Sequence, residues 1–226
     1  MEKIRSNFWP VSSLLPSEHS LTVEYDTSRE TIRKALEMLS QNGYIQKVRG
    51  KGSVVIDIPK YSFPVSGITS FKELVEELKV PYHTTVQELE YIPFTHEIQQ
   101  ILNAGKKEKI WKVSRVREIN QEKIILDTDF FNEAFVPMLS RDICQDSVYE
   151  YIEKELGLVI SFAKKEITVE EPTEKDYTSL DLEGFSNIVV IKSKVYLEDA
   201  TLFQYTESRH RPDKFRFVDF ARRAKL

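Results

Sequence analysis

Apolar positions recur at helical spacing across residues 32–39, where Ile32, Ala35, Leu36 and Leu39 fall on one stripe. Thr27-Ser28-Arg29-Glu30 stands just ahead and fits a capping box, with Thr27 as the expected N-cap. Gly43 occupies the place of a residue that ends a helix in the left-handed region. The period then shortens to two. Tyr44–Val48 and Ser53–Ile56 predict two strands joined by Arg49-Gly50-Lys51-Gly52, and the glycines permit the positive φ of a tight hairpin. Upstream, Leu15-Pro16-Ser17-Glu18-His19-Ser20-Leu21 opens another short helix, with Pro16 suited to its start. Helix, helix and basic hairpin come in the order of a recognition helix and a wing, which implies duplex DNA as partner.

Residues 57–64 hold two prolines and few helix signals and predict a linker. Beyond it the periods mix. Phe71, Leu74, Val75 and Leu78 predict a helix over 69–79, and 95–104 and 147–156 also favour helices, the last ending at Gly157. Strands are expected at 85–92, 109–119, 122–131, 163–170, 188–197 and 202–208. Long strands with helices at uneven spacing predict an α+β fold on a mostly antiparallel sheet. No internal repeat or low-complexity stretch is visible.

Composition narrows the class. With 226 residues and 41% hydrophobic content, the chain has material for two modest packed domains. The net charge of −4 is unevenly spread. Residues 1–56 carry eight Lys and Arg against six Asp and Glu, or +2, leaving 24 against 30, or −6, for the rest. A basic module joined to an acidic one fits nucleic-acid binding at one end only, and so small an excess points to a dimer. Cys144 is the single cysteine, which excludes an internal disulfide and fits the cytoplasm. Neither a leader pattern nor an 18-residue apolar run is present.

The candidate chemistry lies in three places. Arg29 and Arg33 are four apart on the first helix, flanked by Ser28 and Thr31 at its phosphate-friendly N-terminus. The alternative is a solvated helix face, but Arg49 and Lys51 at the hairpin tip add cations able to reach phosphates or the minor groove. In the strand 109–119, Arg115 and Arg117 share a face with Trp111 and Val113. Two arginines on an apolar face need anions, either a bound phosphate or internal Asp and Glu partners. Asp127 and Asp129 share a face with Ile125 and Phe131, as Glu207 does with Phe203 and Tyr205. Such carboxylates suit sugar hydroxyls, or pair with Arg115 and Arg117, or form a glycosidase-like acid pair. Ser66-Gly67-Ile68-Thr69-Ser70-Phe71 precedes a helix and can cradle a phosphate or simply cap. The four histidines show no metal-ligand spacing, and no partner marks Cys144 as a nucleophile.

LPSEHSLTVEYDTSRETIRKALEMLSQNGYIQKVRGKGSVV resembles the winged helix-turn-helix of the GntR family of bacterial transcription regulators. The resemblance places His19, Ser28, Arg29, Thr31, Arg33, Arg49, Gly50 and Lys51 on DNA-facing positions, His19 standing where many members have Arg. SGITSFKEL, SRVRE, SVYEYIEKELG and YTESRHRPDKF resemble the UTRA effector domain of the HutC subgroup, whose fold is similar to chorismate lyase. The two resemblances divide the chain into a winged-helix domain at 1–58, a linker at 59–64 and an effector domain at 65–226. By the same resemblance Thr69, Ser70, Phe71, Arg115 and Arg117 take a phosphate, while Asp127, Ser147, Tyr149 and Glu207 take a sugar. SRETIRKAL, NGYIQKVRGKGSVV and VDFARR are closest to members that govern trehalose use. That implies a homodimeric repressor without catalysis or cofactor, released from operator DNA by trehalose-6-phosphate or a related sugar phosphate. Amino-sugar phosphate is the alternative effector, and a lyase-like enzyme with an accessory DNA module the alternative class. The family pattern has a longer first helix than the one Met1 begins here, so the DNA domain is expected to be the less stable, with Ile4, Phe8 and Trp9 available to cover its core.

Overall fold

A computed structural model describes residues 2–6, 8–41, 43–56, 67–92, 101–102 and 109–217. These fall into two compact units, one within residues 1–62 and one within 63–217. The expected linker 59–64, Ser66, most of the expected helix 95–104 and the segment 218–226 lie outside the described residues.

The first unit contains α1 (Glu2–Arg5), α2 (Glu18–Glu24), α3 (Arg29–Gln41), β1 (Ile45–Val48) and β2 (Gly52–Val55). Its core is Ile4, Leu15, Leu21, Ile32, Leu36, Ile45 and Val55, with Trp9, Leu39 and Tyr44 packed alongside. Burying each aliphatic side chain contributes about 1.5–3 kcal/mol, so seven of them can hold a small domain together. Ile32, Leu36 and Leu39 supply the stripe of α3, whereas Ala35 is exposed. The cap also differs from expectation. Ser28, not Thr27, accepts from the Thr31 N–H at 3.1 Å, because Asp26 turns the chain with φ 45° and α3 starts at Arg29. Gly43 ends α3 at φ 76°, its N–H bonding Ser40 while Tyr44 reaches back to Leu39. Ile4 is buried in the core and Trp9 leans on it, but Phe8 is 66% exposed. Lys3 pairs with Glu24 and stacks over Trp9 and Tyr25, which fastens α1 to α2. One element escaped the sequence pattern. Residues 12–15 run along β2 through Leu15 N–H to Ser53 and Val55 N–H to Ser13, an isolated bridge at Leu14 and Val54 that covers the edge of the two-stranded wing.

The second unit is a six-stranded antiparallel sheet in the order β3-β4-β5-β8-β7-β6. Its strands are β3 (Tyr82–Ile92), β4 (Ile110–Ile119), β5 (Glu122–Asn132), β6 (Ile160–Glu170), β7 (Ile188–Leu197) and β8 (Leu202–His210). All six expected strands are present, with β3, β6 and β8 longer than their patterns suggested. The helices are α4 (Phe71–Leu78), α5 (Arg141–Gln145), α6 (Val148–Glu150) and α7 (Glu174–Ser179). The expected helix 147–156 is composite: α6 widens into a π-turn over Tyr151–Glu155 before Gly157. At five and six residues, α5 and α7 are too short to show a period. One face of the sheet packs Val113, Phe131, Val195 and Phe203 against Cys144, Val148 and Ile152 of the helical side. The other face buries Val116, Leu126, Ile188 and Val190 under Leu180 and Leu182.

Candidate functional site

In the first unit, the N-terminal turn of α3 and the tip of the β1–β2 hairpin are both solvent-exposed. Ser28, Arg29, Thr31 and Arg33 on α3, His19 on α2, and Arg49, Gly50 and Lys51 at the tip are all exposed. The hairpin closes with Val48 opposite Gly52, so 49–51 form a three-residue loop that Gly50 turns at φ 77°. A side chain there would be strained although no atom blocks it. Arg29 donates to Glu18 at 3.1 Å, and Arg33 lies 3.8 Å from Glu30. Exposed pairs of this kind contribute about 0.2–1 kcal/mol, so phosphate oxygens or a guanine edge can displace them.

The second unit carries an open cavity of about 1050 Å³, the solvent at its mouth included. Its floor is the inward row of the sheet. Cross-strand register sets Arg117 opposite Ile125 and His210, and Arg115 opposite Asp127 and Ser208. The next row runs from Asp129 through Thr206 and Ser193 to Lys165. The N-terminus of α4 and the start of α6 form the walls, bringing Thr69, Ser70, Phe71, Ser147 and Tyr149 to the same cavity.

Both arginines are buried, Arg115 at 6% and Arg117 at 3% exposure, and both are paired within the protein. Arg115 donates to Asp129 at 2.5 Å and to the Cys144 carbonyl at 3.3 Å. Arg117 donates to Asp127 and to Thr84, each at 2.9 Å, and its guanidinium lies 4.8 Å from the Phe71 ring centroid. The internal-partner alternative therefore describes these arginines as they stand. They are not fully saturated, since Nε of Arg115 has no hydrogen-bond partner among the described residues. Burial and the neighbouring charge of Arg115 push Arg117 down to about 10, so it keeps its proton at pH 7. Burial alone would raise Asp127, but Arg117 and Arg115 hold it below the ordinary carboxylate range. Burial also pushes His210 down to about 4, leaving it neutral near pH 7. A relay of hydrogen bonds joins the acids to the wall: Tyr149 hydroxyl to Gln204 at 3.0 Å, then Gln204 amide to Asp129 at 2.8 Å. Ser208 donates to Asp127.

At α4, Ser70 accepts from the Glu73 N–H at 3.2 Å while Glu73 accepts from the Ser70 N–H at 2.7 Å, a complete capping box. The capping reading is thus met, and the remaining first-turn N–H groups still face the cavity end of the helix. Lys72 spans the rim to Asp146 and Glu150, at 2.8 and 2.9 Å.

Eight of the nine residues singled out for effector contact line this one cavity: Thr69, Ser70, Phe71, Arg115, Arg117, Asp127, Ser147 and Tyr149. Glu207 does not. It points to the opposite face, where it pairs with Arg209 at 2.9 Å. The cause is a register shift in β8: Val195 faces Gln204, but Tyr196 faces Leu202, so Phe203 bulges into the core and period two breaks there. Gln204, Thr206 and Ser208 take the inward places instead. Alternation counted from Gln204 would have found them. Lys72 and Lys165 were also missed. Nothing separates Lys165 from the adjacent Lys164 in the sequence, but β6 turns Lys165 inward and leaves Lys164 exposed. Among the described residues no cluster of three His, Cys, Asp or Glu can hold a metal, and Cys144 is buried with its thiol pushed up to about 11 by burial.

An exposed winged-helix surface carrying Arg29, Arg33, Arg49 and Lys51, together with a polar cavity in a separate unit, is the arrangement of a ligand-responsive transcription regulator. Comparison with known proteins agrees. Residues 1–55 match the bacterial regulatory proteins of the gntR family, and residues 77–216 match the UTRA domain. The HTH-type transcriptional regulator TreR of Bacillus subtilis is 55% identical over 224 residues, covering 99% of this chain and 94% of that protein. The repressor MngR of Escherichia coli, of a mannosyl-D-glycerate transport and metabolism system, is 29% identical over 92% of this chain and 87% of its own. Among solved structures, the regulator YydK of Bacillus subtilis superposes with a TM-score of 0.81 at 28% identity, covering 98% of this chain and 95% of that one. The effector-binding domain of the Bacillus subtilis trehalose repressor TreR gives 0.58 at 53% identity, covering 63% of this chain and 99% of that domain. The chain belongs to the GntR family of bacterial regulatory proteins and carries a UTRA effector domain. It is a transcription regulator, not an enzyme, so neither the lyase-like nor the glycosidase-like alternative applies.

Proposed function

We propose that this chain represses a trehalose-utilisation operon in the cytoplasm and leaves its operator when trehalose-6-phosphate enters the UTRA cavity. The observation that carries the reading is the meeting of Arg115, Arg117 and the N-terminus of α4 at one end of a cavity otherwise lined by hydroxyls and carboxylates. A dianionic phosphate answers the arginines and the unpaired N–H groups of the helix. Asp127, Asp129, Gln204, Thr206 and Ser208 offer acceptors and donors to sugar hydroxyls. The 55% identity to TreR, whose effector-binding domain is that of a trehalose repressor, supports a trehalose-derived effector over a monosaccharide phosphate. An amino-sugar phosphate is the second reading, because Asp127, Asp129 and Asp146 all line the cavity and a carboxylate can take an ammonium.

On the DNA side, Arg29, Arg33 and the Arg49–Lys51 loop hold one half-site, and a homodimer holds two. Effector binding changes the spacing of the two recognition helices, and the coupling free energy between the sites sets the degree of release. Titration calorimetry with trehalose-6-phosphate, glucosamine-6-phosphate and trehalose, paired with an operator gel shift, tests this. The reading requires tight binding of trehalose-6-phosphate alone and its release of operator. Preference for the amino sugar would shift the assignment to the second reading, and equal affinity for trehalose and its phosphate would remove the phosphate site.

A further inference from the structure

Four cationic side chains line the cavity, Lys72, Arg115, Arg117 and Lys165, against three carboxylates, Asp127, Asp129 and Asp146. Arg115 is matched by Asp129, Arg117 by Asp127, and Lys72 by Asp146 and Glu150. Lys165 alone among the lining cations has no carboxylate partner among the described residues. Its ammonium donates to the Gly67 carbonyl at 2.6 Å, three residues ahead of the helix cap Ser70. We propose that Lys165 is a ligand for the effector's anionic group, supplying a positive charge that no carboxylate among the described residues pairs with. This rests on the reading of the cavity as an effector site and adds the residue that discriminates charge within it.

Three observations converge on it. The segment 67–71 touches both sides of the cavity at once: Gly67 accepts from Lys165, and Phe71 stacks on Arg117. The N-terminus of α4 therefore lies on the stretch of chain that links Lys165 to Arg117. Second, an ammonium has three protons, and one bond to Gly67 leaves two for a phosphate oxygen pair. Third, Lys165 ends a polar row through Ser193 and Thr206 to Asp129, so the hydroxyls of a sugar can lie along the floor between the paired acid and the unpaired base. Burial lowers the Lys165 pKa with no carboxylate to restore it, and a bound dianion reverses that cost. The arginines differ in kind. Their charge is largely committed to Asp127 and Asp129, so they orient an incoming phosphate more than they attract it.

The test uses the full chain with Lys165→Met, which keeps length and apolar stem, and Lys165→Arg, which keeps charge. Calorimetry is run with trehalose-6-phosphate, trehalose and inorganic phosphate, and the unliganded melting point is taken for each variant. The expected result is a loss of about 10- to 100-fold in trehalose-6-phosphate affinity for Lys165→Met, with Lys165→Arg within a few-fold of the parent, as for a hydrogen bond to a charged group. Trehalose affinity should not move, and the ratio of the two sugars is the decisive number. Overturning results are unchanged trehalose-6-phosphate affinity in Lys165→Met, or an equal loss for both sugars, which would make Lys165 a strut for residue 67 only. If the parent chain binds no sugar phosphate but is stabilised by inorganic phosphate and Lys165→Met is not, the anion site stands and the sugar-phosphate reading falls.

Discussion

Replacing Asp129 by Asn isolates what the buried ion pair does before any ligand arrives. Asp129 is 2% exposed and receives two donors, the Arg115 guanidinium on one oxygen and the Gln204 amide on the other. An Asn amide presents one oxygen and one NH₂, so one of those donors must face another donor. Whichever donor keeps the Asn oxygen, Arg115 loses the neutralising charge of Asp129 in a buried place and retains its bond to the Cys144 carbonyl. Breaking one side of a buried pair costs about 3–5 kcal/mol, against about 5–15 kcal/mol for the stability of a whole domain. With a urea m-value of about 2 kcal/mol/M, the midpoint should fall by roughly 1.5–2.5 M. The assay is urea unfolding followed by Trp111 fluorescence in a Trp9→Phe background, because the chain has two tryptophans and only Trp111 lies in the effector unit. Saturating trehalose-6-phosphate should stabilise Asp129→Asn by more than it stabilises the parent, since the phosphate replaces the lost counter-charge. A stability change under about 0.5 kcal/mol would mean that water already solvates Arg115, and the energetic picture of the cavity would be wrong.

His210 gives a pH dependence. Its folded value near 4 lies below the ordinary 6.5, so its contribution is complete above pH 6.5 and is lost as pH falls toward 4, by about 3 kcal/mol in all. His210→Gln should flatten the Trp111 unfolding midpoint across that window, and identical pH slopes would refute the assignment. On the DNA side, Arg33→Ala should relax base preference by about 1–3 kcal/mol, whereas Lys51→Ala should weaken all sequences alike and lower the salt slope by about one. Gel shifts at several salt concentrations distinguish these, and binding indifferent to both changes would end the winged-helix assignment. Ile4→Ala removes a buried side chain from a seven-residue core and should cost about 2–4 kcal/mol. Hydrogen exchange should then show loss of protection in α3 with no change in the β4–β5 hairpin, and unchanged α3 protection would mean that α1 contributes nothing to the fold.

The sequence was most legible where one period ran unbroken. The helix Arg29–Gln41, the hairpin and all six strands of the sheet can be read from apolar spacing and from Gly43 and Gly50 alone. Misreadings cluster where a single local event changes phase. A left-handed Asp26 moved the cap of α3 from Thr27 to Ser28, and a bulge at Phe203 sent Glu207 to the wrong side of the sheet. Each error is one residue in sequence and a whole face in space. Long-range facts were invisible for another reason. Period two showed that Arg115 and Arg117 share a face, but which anion met them depended on β5 lying in register beside β4, a partner 10 to 14 residues away. Lys165 lies further still, 98 residues from its Gly67 carbonyl.

That division between paired and unpaired charge explains how such a cavity can serve a switch. Two unpaired buried arginines would destabilise the empty protein, and the ligand would then be needed for folding rather than for signalling. Pairing Arg115 with Asp129 and Arg117 with Asp127 keeps the empty domain stable and fixes both guanidinium planes before binding. The same pairing weakens the pull on any anion, since each carboxylate offsets its arginine. Selectivity for a phosphorylated sugar over the neutral one must then come from groups that are not offset: the Nε–H of Arg115, the first-turn N–H groups of α4, and Lys165. Two of these three belong to, or are bonded to, the segment 67–71. On the proposed reading the stretch of chain that opens α4 reads the anion, while the sheet holds the sugar. A ligand without the phosphate can occupy the floor and leave that stretch untouched, which is the difference in interaction between two states that a population shift requires.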